Sequence, residues 1–465
     1  MTQIGSSKSP LEYLTDVVEY RCDHKKPDYE NVELIRKNIS LVKQQLINSN
    51  LSVIEREKLI VILLGLLYHP FLKLDLRPIK QHVDLSDEES ILEGEDDDFE
   101  SNVNLLTVHS IIQMIAGLNK NLYTLIDSIP SLMKTRERMF LEMDLSYKTM
   151  LYSISVISYV GYGLEKTIPD NCHFYPNVFS GQYILIRHLP ILHLLLSRKD
   201  DYANEKGLVL SSKLFKRINP GSLDVAVLDL LGASPIDSAL MKIMKYSCDR
   251  NARSNAFEAF KLLINCFKLP ARCQFLLKIL ANPAQEQGAQ RLVLTIYKDL
   301  FVYEKDWKPL IGNTMLQIIR KSFELSLPNG VNTDLAENYD SICTILNFIR
   351  YLLLRDKYDR NETKIWNIID SLRKDSIDLI WQAVQISRDI YKARLHELEQ
   401  PESRSKEDRN CNDVFKVEIF NDDETEVTPQ LTEEQEKESL TCGLINFELL
   451  ESLIRRIDDI IAEAR

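Results

Sequence analysis

This 465-residue chain is poor in the residues that punctuate β structure. It has 14 glycines and 16 prolines, too few breakers for an all-β protein of many hairpins. Its eight cysteines, at 22, 172, 248, 266, 273, 343, 411 and 442, never form a Cys-x-x-Cys pair. They read as reduced thiols, mostly buried as small hydrophobes. No glycine-rich phosphate loop is present. Gly161-Tyr162-Gly163 is the nearest fragment, and it neither completes the pattern nor follows a strand. Gly-x-Ser-x-Gly and His-Glu-x-x-His are also missing. The eight histidines are dispersed, and His188 and His193 are five apart, off a shared helix face. They read as structural, so no catalytic, cofactor-binding or metal-binding residue is expected.

Long apolar runs are lacking too. Leu59 to Tyr68 is the strongest, well short of the ~18–20 residues that span a bilayer. Ile184 to Leu196 carries Arg187, His188 and His193. Met1 to Pro10 is polar and has no signal-peptide core. These features point to a cytoplasmic protein. Positive charge is in deficit: the net charge is -12, with no long Lys/Arg run. A phosphate backbone repels that average, so neither a nucleic-acid nor a membrane partner is expected.

What remains is helical material. Hydrophobic residues make up 45% of the chain, enough to bury a large core. Val32, Ile35, Ile39, Val42 and Leu46 recur at three- and four-residue steps. Leu59 to Tyr68 is apolar all round, as in a helix covered on several sides, and His69-Pro70 should end it. Helical pattern resumes near Leu105 and runs to about Gly163, followed by a loop over Thr167 to Gln182. Pro235 to Cys248 and Ala252 to Phe267 read as paired amphipathic helices around a turn at Asp249-Arg250-Asn251. Pro270 to Leu280 and Glu286 to Phe301 repeat the sense, and Glu205 to Ile218 resembles another second helix. Second helices recur every ~34–47 residues, the period of HEAT arrays. Asp249-x-x-x-Arg253 followed by small and apolar positions is HEAT-like. The fold class expected is an all-α, HEAT/armadillo-like α-α superhelix of stacked helical hairpins.

The organisation expected is a partly flexible segment over 1–30, then helical repeats over 31–164 with an acidic loop at 84–100. HEAT-like repeats follow over 183–400, and a polar loop over 401–440, in which Val414 to Phe420 reads as a short strand. A terminal helix over 441–465 packs on the last repeats. Residues 84–100 hold ten acids and no Lys or Arg. Asp96-Asp97-x-x-Glu100 resembles the aspartate-rich magnesium motif of helical terpene synthases, but acids crowd every face of that stretch. Trp366 and Trp381 sit among helical apolar positions and read as core, whereas Trp307 reads as exposed in an inter-helix turn. In Asn361 to Gln400 the core candidates include Ile365, Ile369, Leu372, Leu379, Ile380, Val384, Ile390, Tyr391 and Leu398.

Three phrases carry a family resemblance: Asn332 to Leu354, Arg360 to Trp366 (RNETKIW) and Phe447 to Ile461. Lys206 to Phe301 and His69-Pro70-Phe71 add to it. The chain resembles the glomulin family, inhibitors of cullin–RING ubiquitin ligases. The resemblance implies a HEAT-like fold that binds the RING subunit of these ligases with its cullin and masks the surface that recruits the ubiquitin-charged E2. It also implies an association with FKBP-type prolyl isomerases. Relative to the family, this chain reads as shorter at the N-terminus, with the RING-binding end complete. The candidate protein-binding residues are Lys305, Trp307, Asn347, Arg350, Tyr351 and Arg355. Asn347, Arg350 and Tyr351 lie in the family-like phrase at helix-face spacing. The alternatives are a general HEAT scaffold, an FKBP-associated adaptor without ligase inhibition, or a magnesium-dependent cyclase.

Overall fold

The computed structural model describes residues 28–46, 51–68, 70–77, 102–142, 144–164, 174–176, 178–282, 288–356, 358–399, 419–420, 426–427 and 432–464. Among them the fold is all-α, save an isolated parallel bridge between Leu223 and Phe267 and a two-residue antiparallel pair, β1 (Ile419–Phe420) with β2 (Glu426–Val427). The acidic stretch 84–100, its Asp96-Asp97 motif, residues 1–27 and most of 401–431 lie outside the described residues. Two units divide the chain, Met1–Lys268 and Leu269–Arg465. The division falls inside the block 183–400 that the sequence groups together.

In the first unit, α1 (Asp28–Leu46) and α2 (Val53–Tyr68) precede α3 (Val103–Leu118), which packs on both. Then come α4 (Leu122–Thr135), α5 (Glu137–Glu142) and α6 (Tyr147–Ser158). α2 is buried along Leu59 to Leu67 against α6, as its all-round apolar sequence requires. α6 runs into a π-turn over Tyr159–Gly163. Gly161 is there because the Tyr175 ring lies over it. A Cβ at that position would sit 2.0 Å from the ring, so the Gly161-Tyr162-Gly163 fragment serves packing.

The repeat follows. α7 (Gly181–Leu196) and α8 (Asp201–Lys216) form one hairpin. After the short α9 (Ala226–Ala233), α10 (Ile236–Tyr246) and α11 (Arg250–Cys266) form the next. α10 stacks on α7 and α11 on α8, first helix on first and second on second. Each second helix starts at an aspartate. Asp200 accepts from the Ala203 N–H (3.1 Å), and Asp249 accepts from Asn251 and Ala252 (2.9 and 3.2 Å). The Arg253 guanidinium reaches back to the Ser247 and Cys248 carbonyls (2.7 and 3.1 Å). The HEAT-like phrase is therefore a turn clamp, and Arg250-Asn251 already belong to the helix rather than to the turn.

His188 of α7 is fully buried. Its Nδ1 lies 2.7 Å from the Ile184 carbonyl, which can only accept, so Nδ1 carries the proton and Nε2 accepts from the Ser158 hydroxyl (3.1 Å). Burial pushes its pKa down to about 4.

The second unit has three tiers. α12 (Leu269–Ala281) pairs with α13 (Gly288–Tyr303), and α14 (Asn313–Ser326) with α15 (Leu335–Arg355). In the third tier α16 (Ile369–Leu372), a π-turn over Arg373–Ile377 and α17 (Asp378–Glu399) pair with α18 (Glu433–Ala464). The second helices α13, α15 and α18 stack in order. Gln290 of α13 is buried and its side-chain amide donates to Ser326 Oγ of α14 (2.8 Å).

Three expectations are corrected here. Residues 433–440 are helix, not loop. Thr432 and Gln435 form a capping box (Thr432 N–H to Gln435 Oε1 3.0 Å; Gln435 N–H to Thr432 Oγ1 3.3 Å), and Glu433, Glu434 and Glu436 favour a helix N-terminus. Leu379 and Ile390 are 36% and 49% exposed, not core. The buried stripe of α17 passes through Ile380, Val384, Tyr391 and Leu398, which the sequence also marks as core, and Leu379 and Ile390 lie just beside it. Among the described cysteines only Cys266 and Cys273 are buried, while Cys248 and Cys442 are exposed.

Lys206 is the most unusual group of the first unit. It is 3% exposed, and its Nζ donates to the Leu72 and Leu74 carbonyls (3.1 and 2.6 Å), tying the chain after α2 to α8. Burial pushes its pKa down to about 8. An unfolded lysine binds its proton more tightly, so this group makes stability rise as pH increases from about 8 to 10.5. The rise is about 3 kcal/mol at most. Urea unfolding across that window should show the rise in the wild type and lose it in Lys206→Met. A wild-type minus variant difference that stays flat would refute this assignment.

Candidate docking site

The turn between α13 and α14 is built from the inside. The Tyr297 hydroxyl donates to the Leu310 carbonyl, and the Leu310 and Ile311 N–H groups return to the Trp307 carbonyl (2.8 and 3.1 Å). Trp307 Nε1 donates to the Glu304 carbonyl (2.9 Å), and Glu304 itself pairs with Arg272 of α12 (2.8 Å). Trp307 is therefore half-buried, its ring edge-on to Phe301 (5.7 Å), rather than freely exposed. Lys305 stands exposed on the same turn.

α15 starts at Asp334, which accepts from the Ala336 N–H (2.8 Å). α15 runs parallel to α13, as the Arg291–Asp340 ion pair near their starts and the Lys298–Tyr351 contact towards their ends show. This register places the Arg355 guanidinium 4.7 Å from the Trp307 ring centre. Arg355 also donates to the Tyr351 hydroxyl (2.7 Å), and Lys298 Nζ lies 5.3 Å from the Tyr351 ring centre. Trp307, Arg355, Tyr351 and Lys298 thus form one ladder of alternating rings and cations, each contact worth about 0.5–1 kcal/mol at an exposed site. Asn347 is exposed one turn before Tyr351 and donates to the Cys343 carbonyl (2.9 Å). Burial pushes the Cys343 thiol above its ordinary range, so it stays protonated beneath.

Arg350 does not join the ladder. Consecutive helical residues point about 100° apart, and Arg350 is half-buried, with Nε buried and without a hydrogen-bond partner among the described residues. Lys298 is a member that sequence reasoning missed. So are two exposed apolar side chains at the same helix ends, Tyr303 (79%) and Leu354 (58%).

The RNETKIW phrase closes α15. The buried Asp356 carboxylate accepts from the Glu362 and Thr363 N–H groups and the Thr363 hydroxyl (2.8, 2.7 and 2.5 Å). Its carbonyl accepts from Trp366 Nε1 (2.5 Å). Asn361 and Lys364 take left-handed backbone (φ 42° and 63°), held there by this clamp. Trp366 is buried, and Tyr358 packs edge-on against it (5.3 Å). The phrase is a structural latch beside the ladder. The surface offers rings, cations and exposed carbon, the side-chain chemistry that anchors protein–protein contacts.

No family model matches the chain. It is 24% identical to glomulin of Mus musculus over 322 residues, which cover 68% of this chain and 51% of that protein. It is 23% identical to glomulin of Homo sapiens over 291 residues, 62% of this chain and 46% of that protein. The chain is a glomulin relative. It matches about half the length of these two curated glomulins, and their name is not that of an enzyme.

Asp356→Ala leaves three donors unmet in a buried loop and should cost about 3 kcal/mol. Asn347→Ala, at an exposed position, should stay within about 0.5 kcal/mol. Denaturant midpoints of the two variants check this, and equal midpoints would show that the loop does not depend on the clamp.

Proposed function

We propose that this protein is a non-enzymatic, cytoplasmic regulator that binds the RING subunit of cullin–RING ubiquitin ligases, together with its cullin, and masks the RING surface needed by the E2. Two things support the reading: the relation to glomulin and the ladder on the second unit. Blocking of this kind needs no bond chemistry, only an interface of about 1,600 Å² anchored by a few residues. Trp, Tyr and Arg are the types enriched at such anchors, and here they are already ordered by contacts within the chain. An FKBP-type prolyl isomerase partner, or a general scaffold role without ligase inhibition, is the second reading, favoured if the ladder proves irrelevant to RING binding.

Purified protein should retain a RING–cullin pair in a pull-down and slow ubiquitin chain formation in a reconstituted reaction. Arg355→Glu and Tyr351→Ala should each weaken retention roughly tenfold or more while leaving the fold intact. Arg350→Glu should act on stability as well, because that side chain is half-buried. A pull-down in which the RING–cullin pair is not retained sinks the proposal.

A further inference from the structure

α18, the last of the described helices, is patterned on two faces. One face is buried through Leu440, Phe447, Leu450, Ile454 and Ile457, where the helix packs on α15 and α17. The opposite face carries a second pattern that packing within the chain does not use. Glu438, Cys442, Ile445, Leu449, Ser452 and Arg456 follow one another at steps of four, three, four, three and four residues. That is a heptad repeat, which keeps one line of side chains towards a single partner helix over about 27 Å. Ser452 is half-buried and the other five are exposed. Ile445 and Leu449, at the middle, are 53% and 50% exposed. No ion pair among the described residues engages Glu438 or Arg456.

The order of residues along this line decides the partner. It reads acid, small, apolar, apolar, small, base. Turned end for end about position 447, the line matches itself. Ile445 then meets Leu449 of a second copy, Cys442 meets Ser452, and Glu438 meets Arg456, each contact occurring twice. A parallel pairing would set Glu438 on Glu438 and Arg456 on Arg456, so charge selects the antiparallel one. Beyond the seam, Asp459 comes opposite the Gln435 amide. Glu448, beside the two-fold axis, already interacts with the Arg388 guanidinium of its own chain. Such self-matching is what a closed two-fold interface requires.

From this we infer that α18 pairs antiparallel with α18 of a second copy of this chain, with Ile445 and Leu449 at the centre and a Glu438–Arg456 ion pair at each end. Two helix faces of this length make a small interface, below about 1,200 Å², so the dimer is weak, with a dissociation constant on the order of 10 μM. The inference does not rest on RING binding, since the ladder belongs to α13, α15 and the turn after α13. The test is sedimentation velocity of the full chain in reductant, from about 1 to about 200 μM. The weight-average sedimentation coefficient should rise from the monomer value towards the dimer value. Leu449→Asp should stay monomeric throughout. Glu438→Arg and Arg456→Glu should each weaken association roughly tenfold, whereas the double variant Glu438→Arg, Arg456→Glu restores opposite charges at both ends and should return to within about threefold of the wild type. All three positions are exposed, so an unchanged thermal midpoint confirms that folding is intact. A wild type that stays monomeric at the highest concentration, a dimer indifferent to Leu449→Asp, or a double variant that associates no more tightly than the single ones overturns the inference, whether or not the RING–cullin pair is retained.

Discussion

A helical hairpin with one apolar face cannot hide that face by itself. Every feature of the second unit follows from the remedy, which is to lay the next hairpin on the last with equivalent helices in register. The stacking of α13, α15 and α18 makes buried positions such as Tyr297, Phe348, Leu352 and Phe447 necessary. It also leaves apolar residues such as Tyr303, Leu354, Ile445 and Leu449 exposed on these helices. Burial of each such large side chain contributes on the order of 2 kcal/mol, so the stack outweighs the modest cost of any single exposed ring on its rim.

The rim is ordered for the same reason. Lys298 meets Tyr351 because α13 and α15 run parallel at close approach, and Trp307 meets Arg355 because the α13–α14 turn is pinned by Tyr297 from below. Neither contact is local in sequence. Both are by-products of core packing, and the ladder inherits its geometry from buried residues such as Tyr297 and Phe348.

This explains what could be read from the chain and what could not. Period and caps were legible: Asp249 and Arg253 announced a hairpin turn, and Leu59 to Tyr68 announced a buried helix. The capping box at Thr432 and Gln435 was also legible and was overshadowed by the acidity around it, since Glu433, Glu434 and Glu436 read as solvated loop until helix polarity is considered. Composition alone does not separate adjacent apolar residues on α17, so Leu379 and Ile390 read as core along with Ile380 and Tyr391, and only the latter two are buried. For the candidate site, Tyr351 and Arg355 share a face by spacing alone. Their partner Lys298 comes from another helix, and no single-sequence pattern encodes that. Arg350 looked equivalent to Tyr351 and differs only because helix geometry turns neighbours apart.

Gln290 carries a consequence beyond its hydrogen bonds to Ser326 and Ser341. Apolar helix faces are slippery, and leucine and isoleucine rows tolerate sliding by a turn, about 5.4 Å, with little loss of contact. A buried amide tolerates no such slip, because moving away from Ser326 strands its donors in carbon. One polar side chain thus acts as a detent between tiers, fixing which rung of one helix faces which rung of the next.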